Sequence, residues 1–512
     1  MRIAVFNRYW TTYGGGERYA GAFAEALAAD HDVHLLSPTD VDWPRLEERL
    51  GLDLSRTTRR TVPSDPQLVT AISREYDVFV CSSFEGIESN EARRGIYVVL
   101  FPTHRRIAFQ LARRMAAGLL GPVLRQDVLW GNGFYPAERF GHHVFRWTGA
   151  AADLQLALPA GARRRVRLTF LPFRPRSMNP ASVIVEVDGR VHAHTTVGGD
   201  LGRVAVDFDV TGRGSDRPLG LVIRTETFVP DGGAGGDARQ LGVPLSSIRV
   251  GKGTRAWLAG RFPFLTRSQR QVDFLETYQD IVSISEFTRQ WVGRRWGRKS
   301  HVICPPVDAP TGRERKDPMI LSVGRFYDAR FGHSKKQLEL VRAFRRLVGR
   351  GLRDWQLHFV GSWQQHHASY LARVRAEAEG LPVHFHIDAP REELRDLYAR
   401  ASIYWHATGL DENERRRPER FEHFGISTVE AMGAGAVPIV IGKGGQAEIV
   451  QENVNGYLFR SLNELVARTR LVAQDPQLRV RLARAATERA AEFSTERFAE
   501  RVRALVDHAP SH

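Results

Sequence analysis

One pair of cations and one glycine-led segment have the types and spacing needed to hold an anion, and two carboxylates around that segment can accept from hydroxyls. Gly324-Arg325-Phe326 follows the apolar run 319–323, and Lys335-Lys336 stands just ahead of a helical pattern over 337–348. Arginine offers a planar fork of donors and lysine a point charge, so Arg325 and Lys335 at a strand's carboxyl edge suit a diphosphate. Either residue alone reads more often as a solvated surface cation; the placement of both at a strand end favours the functional reading. Downstream, Glu422-His-Phe-Gly-Ile-Ser-Thr-Val-Glu430 carries two carboxylates separated by seven residues. Gly425 fits a helix start, where Ile426 and Ser427 present amides without intrahelical partners to an anion. Glu430 then lies about a turn and a half inside the helix, while Glu422 stays in the loop ahead. The competing reading is a capped core helix with two incidental glutamates.

A second glycine cluster, Gly14-Gly15-Gly16, joins the first strand to the first helix. Glycines there let backbone amides approach a ligand, or serve only tight strand-to-helix packing. The loop has neither the spacing of a dinucleotide fingerprint nor the Gly-Lys-Ser/Thr of a P-loop. Two Asp-x-Asp spacings occur. Asp40 and Asp42 read as loop, and Asp207 and Asp209 alternate with Val206, Phe208 and Val210 on a strand face toward solvent. Neither resembles a metal site, so no metal and no cofactor is expected. His406, at a strand end, fits a place facing the cleft but reads more as a satisfied structural histidine.

The elements that position these residues fall into three stretches. The runs 3–6, 33–36, 78–80 and 96–100 read as buried parallel strands, with a helix over 17–29, as in a doubly wound sheet. From about 131 the helical period vanishes. Alternating strands at 166–170, 183–187, 204–210 and 221–223, with Asp188-Gly189 as a two-residue turn, suggest an inserted β-sandwich. Arg163-Arg164-Arg165 ahead of it reads as a solvated loop, and Trp147 as core more than as a sugar-stacking platform. The α/β pattern resumes with a strand at 280–284 and a helix at 287–296. A second series follows, with strands at 319–323, 355–360, 383–387, 403–406 and 437–441. The expected domains are 1–130 with 257–308, the sandwich at 131–256, a second α/β domain at 309–494, and a final helical segment, 495–512. Tandem α/β domains of this kind place ligands in a crevice at the carboxyl ends of their strands.

Composition bounds the rest. The chain has 512 residues, 42% of them hydrophobic and 26% charged, which is ordinary globular content spread over more than one core. Two cysteines, Cys81 and Cys304, make no disulfide framework, and no apolar run spans a bilayer. A cytoplasmic protein is expected. Lysine and arginine exceed aspartate and glutamate by 73 − 58, a formal +15. That excess points to an anionic partner. Nucleic acid is not favoured, because no aromatic-and-basic strand signature accompanies the charge. A basic amphipathic stretch over 105–126 fits either an anionic membrane surface or a solvated helix face. Arg415-Arg416-Arg417 reads as a polar loop ahead of Glu422.

Taken together, Glu422 to Glu430 with Gly-Arg-Phe and Lys-Lys-Gln upstream resembles retaining glycosyltransferases of family 4, which have the GT-B fold. Gly444-Gly-Gln-Ala-Glu448, Asn455-Gly-Tyr457 and the Gly14–Gly16 loop are similar to that family too. The resemblance covers roughly 1–130 and 272–508. It implies a donor diphosphate bound by Arg325 and Lys335, sugar hydroxyls touched by Glu422, and ribose held by Glu430. It also implies that the glycine loop closes over the phosphates and that His104 bonds a hydroxyl of the transferred sugar. The final helix would cross back onto the first domain. The implied partners are a nucleoside-diphosphate sugar and a glycan or lipid-linked acceptor. The sandwich departs from the family's two-domain pattern; a glycan chain, a partner enzyme and a spacer role all suit it. Two rival classes are a non-catalytic carbohydrate-binding protein and a dinucleotide-dependent oxidoreductase. The second expects an acidic residue ending the second strand, where Leu35-Leu36-Ser37-Pro38 stands instead.

Overall fold

The computed structural model describes residues 1–103, 115, 128–140, 143–175, 178–199, 201–214, 217–230, 239–251, 274–328, 334–363 and 367–507. They form two units: Met1–Val282 with Arg295–Gly297, and Ser283–Arg294 with Arg298–Asp507. His104 and the basic stretch 105–126, apart from Met115, lie outside the described residues.

The first unit opens with β1 (Arg2–Phe6), α1 (Gly15–Leu27), β2 (Asp32–Ser37), α2 (Trp43–Leu50), β3 (Thr58–Thr61), α3 (Pro66–Ser73), β4 (Val78–Cys81) and β5 (Arg94–Val99). Strands β1, β4 and β5 are apolar and buried along nearly their whole length, as strands covered on both faces must be. β1 pairs in parallel with β2 and β4, β2 with β3, and β4 with β5. β3, reading Thr-Arg-Arg-Thr, is a polar edge strand that carries no apolar pattern.

Among the described residues ten antiparallel strands follow. They are β6 (Val128–Trp130), β7 (Phe134–Phe140), β8 (His143–Thr148), β9 (Ala151–Leu156), β10 (Arg163–Phe170), β11 (Ala181–Val187), β12 (Arg190–Val197), β13 (Val204–Thr211), β14 (Leu219–Thr225) and β15 (Pro244–Val250). They make two five-stranded sheets, β13-β10-β15-β8-β7 and β12-β11-β14-β9-β6. Inward residues of both, including Leu168, Phe170 and Val210 from one and Leu154, Val183 and Ile223 from the other, share one apolar cluster. Among the described residues the antiparallel region starts at β6, three residues before the expected boundary. Arg163–Arg165 is not a loop: it begins β10, opposite Asp209 to Thr211. Asp188 and Gly189 both take positive φ, 49° and 77°, as a two-residue hairpin turn between β11 and β12 requires. Trp147 is buried with Phe145 and Phe228 in a satellite cluster, so it offers no ring to a sugar.

β16 (Asp280–Ser283), α4 (Glu286–Trp296) and β17 (His301–Val302) lead to the second series: β18 (Asp317–Val323), α5 (Gln337–Gly349), β19 (Gln356–Gly361), α6 (Ala368–Glu377), β20 (Val383–Ile387), α7 (Arg391–Arg400), β21 (Ala401–His406), α8 (Ile426–Gly433), β22 (Val437–Ile441), α9 (Gln446–Ile449) and β23 (Tyr457–Phe459). The chain closes on α10 (Leu462–Gln474), α11 (Pro476–Ala490) and α12 (Thr495–Asp507), which belongs to the second unit. β16 and β17 lie at one end of the first parallel sheet, in the order β17-β16-β5-β4-β1-β2-β3. The second sheet runs β20-β19-β18-β21-β22-β23, and every pair in it is parallel. The Glu448 carboxylate caps α4: its oxygens accept from the amides of Glu286 and Phe287 at 2.8 and 3.1 Å.

Candidate functional site

The candidate residues of the second unit gather where β18, β19 and β21 end. A Cβ on Gly361 would stand 2.2 Å from the Gly324 carbonyl oxygen, and one on Gly324 would stand 2.7 Å from Lys335 Cγ. Only glycines fit such close approaches, and the second lets the Lys335 stem run across the backbone just before Arg325. Gln337, itself buried, donates through Nε2 to the carbonyls of Gly324 and Arg325 at 3.2 and 3.1 Å. The Arg325 backbone is thereby fixed while its side chain stays exposed. Lys336 sits in the left-handed region, φ 60°, at the start of α5. Its Nζ lies 3.6 Å from Glu412 Oε1, which Arg420 also approaches at 3.0 Å.

Glu422 is the meeting point. Its Oε2 accepts from Lys335 Nζ at 2.5 Å and from His406 Nε2 at 2.9 Å. Lys335 and Glu422 are each 20% exposed, whereas His406 is 2% exposed. Burial pushes the imidazole below its usual range against the pull of Glu422. A neutral ring facing a carboxylate must carry its proton on Nε2, and Nδ1 then has no hydrogen-bond partner. His406 is thus buried, as a structural histidine is expected to be, and its hydrogen bond goes to Glu422. Its sequence signal was its place at the carboxyl end of a parallel strand, where ligands of such sheets sit.

Gly425 heads α8 with φ 133°, and a Cβ there would strike Gln446 Nε2 at 2.4 Å. No side chain caps this start. The amides of Thr428 and Val429 return to the Gly425 carbonyl, leaving those of Ile426 and Ser427 at the head of the helix. Ser427 Oγ accepts from Tyr404 at 2.8 Å, and Glu430 Oε2 accepts from Tyr398 at 2.8 Å. The Gly445 amide donates to the Glu422 carbonyl at 2.8 Å, bracing the loop from below. Tyr398 and Tyr404 had no signal in sequence beyond an ordinary apolar pattern. The structure thus brings Arg325, Lys335, Glu422, Gly425, Ile426, Ser427 and Glu430 into one α/β unit, at its strand ends and one helix start.

The glycine cluster of the first unit has a local account. Gly14 donates its amide to Glu17 Oε2 at 2.7 Å, and Thr12 donates to the same oxygen at 2.6 Å. A Cβ on Gly16 would lie 2.8 Å from Leu100 Cδ1, so packing demands that glycine; Gly15 is exposed. Burial raises the Glu17 carboxyl above its usual range. Beside it, Arg8 Nε donates to Glu88 Oε1 at 2.7 Å and Nη1 to the Ser64 carbonyl at 2.8 Å, all buried. Asp42 caps α2 through the Arg45 amide, and Asp207 pairs with Arg165 and Arg167. Among the described residues no cluster of three or more histidine, cysteine or carboxylate side chains is suited to a metal. No helix among them is long and apolar enough to cross a membrane.

Residues 307–489 match the family model of glycosyl transferases group 1. A GDP-Man:Man(3)GlcNAc(2)-PP-Dol alpha-1,2-mannosyltransferase of Xenopus laevis is 24% identical over 221 residues, 39% of this chain. The match spans 42% of that protein's length. Among solved structures, Anabaena HepE in complex with UDP and glucose aligns over 99% of this chain and 100% of its own, at 12% identity and TM-score 0.52. A glycosyltransferase from Rickettsia africae aligns over 99% of both chains, at 10% identity and TM-score 0.52. The fold is that of the GT-B class, with two Rossmann-like α/β domains.

Proposed function

We propose that this protein is a retaining glycosyltransferase, moving a sugar from a nucleoside-diphosphate sugar to a glycan or lipid-linked acceptor. The observation that carries the reading is the Lys335–Glu422 pair beside exposed Arg325 and the uncapped start of α8, all inside the segment matching group 1 glycosyl transferases. As the sugar–phosphate bond breaks, negative charge grows on the leaving diphosphate. Arg325 meets it with a fork, Lys335 with a point charge, and Ile426 and Ser427 with helix-start amides. Glu422 holds hydroxyls of the transferred sugar. Glu430 accepts from the ribose hydroxyls, with Tyr398 fixing one of its oxygens.

The donor class draws support from the relatives, one named for GDP-mannose and one bound to UDP and glucose. The same mannosyltransferase, named for a dolichol-linked substrate, supports a lipid-linked acceptor. Such an acceptor would bring the protein to a membrane, and its net charge of +15 suits an anionic surface. A donor screen with UDP-, GDP-, ADP- and dTDP-sugars tests the reading through nucleoside-diphosphate release, product mass and the anomeric configuration of the product. Release from none of them sinks the proposal, and an inverted product sinks retention.

A further inference from the structure

Two donors converge on Glu422 Oε2, and they differ in how they are held. Lys335 reaches it with a flexible stem from the loop before α5 and is partly open to solvent. A diphosphate, carrying more charge than one carboxylate, competes directly for that ammonium. His406 is the last residue of β21, flanked by buried Trp405 and Ala407, with its ring sealed from solvent. Its Nε2 lies 2.9 Å from Glu422 Oε2, with Thr408 Oγ1 at 3.4 Å from the same nitrogen. A proton on Nδ1 would be buried with no acceptor, which is costly, so the ring keeps its single proton on Nε2.

We infer that His406 is a positioning residue: it keeps Glu422 aimed at the sugar when Lys335 turns from Glu422 to the donor diphosphate. The inference rests on the glycosyl-transfer reading above. His406 gives up no proton in this role; it donates one hydrogen bond throughout, and no bond to it forms or breaks. Removing it leaves the diphosphate grip of Arg325, Lys335 and the α8 amides in place. A loosened Glu422 misplaces the sugar, so the loss falls on turnover more than on donor affinity.

The test compares His406→Leu, which has no donor, with His406→Gln, whose Nε2 amide reaches toward the same oxygen. The full-length protein is assayed with the donor that the screen identifies. In His406→Leu, kcat falls about 10- to 100-fold while donor KM moves less than about threefold. His406→Gln recovers to within about fivefold of the unaltered protein. In a Glu422→Gln background the leucine substitution costs less than about twofold more, because the partner it serves is already lost. Unchanged kcat in His406→Leu overturns the inference. So does an equal loss in the Glu422→Gln background, or a glutamine variant as poor as the leucine one at an unaltered melting temperature. Should the leucine variant fail to fold, the glutamine variant and its cycle with Glu422→Gln decide. An unaltered protein that releases no nucleoside diphosphate overturns the transfer reading and this inference together. An active one with an undiminished leucine variant overturns this inference alone.

Discussion

The carboxyl ends of the two parallel sheets handle charge in opposite ways. In the first unit charge is sealed: Arg8 and Glu88 pair in the interior, and Glu17 closes the start of α1 with its own carboxylate. In the second unit Arg325 is exposed, Lys335 and Glu422 meet half-open to solvent, and α8 begins with no cap. A sealed pair has traded hydration for mutual contact, so neither member can leave without stranding the other. A half-open pair keeps water as an alternative partner and can exchange it for a ligand at small cost. One sheet end is closed to water, and the other leaves its charges within reach of it.

The largest test of that contrast is Glu88→Ala, which strands Arg8 and should lower stability by about 3–5 kcal/mol in denaturant titration. A loss under 1 kcal/mol would erase the distinction. Arg325→Ala should do the reverse, cutting transfer about 100-fold or more while the melting temperature holds. Glu17→Ala removes a cap and should cost about 1 kcal/mol of stability. The smallest effect is in pH. Burial raises the Glu17 carboxyl above its ordinary 4.5, so the folded state binds its proton more tightly than the unfolded state. Its contribution is therefore complete at low pH and declines as pH rises above about 4.5 through the raised folded value. Glu17→Gln does not titrate, so the variant should gain on the unaltered protein between pH 4 and 7. Melting curves across that range check the sign.

Buried parallel strands were legible because both faces are apolar. The strands at 383–387 and 437–441 fall where the pattern puts them, and the Asp-Gly turn after β11 follows from backbone preference alone. Edge strands were not legible. β3 and most of β12 face solvent, so their sequences carry no alternation, and the arginines opening β10 look like loop for the same reason. Arg325, Lys335, Glu422 and Glu430 stood out as candidates only in combination, because two cations at a strand end and two carboxylates around a glycine-led helix start occur together. The bond between Lys335 and Glu422 spans 87 positions and leaves no local trace. The partner of His406 is hidden for a related reason: a buried histidine looks alike in sequence whether it bonds a carbonyl or a carboxylate 16 positions away.

The cap on α4 has a consequence in time. Glu448 stands 162 positions beyond the amide of Glu286 that it satisfies. During synthesis the residues of α4 emerge long before their capping carboxylate exists, and closing so long a loop is slow compared with forming a local turn. Ser285 Oγ accepts from the Thr288 amide at 3.0 Å within the turn itself, so only the amides of Glu286 and Phe287 wait for α9. A chain interrupted between α8 and α9 would leave those two amides to water, while Ser285 still held the first turn of α4.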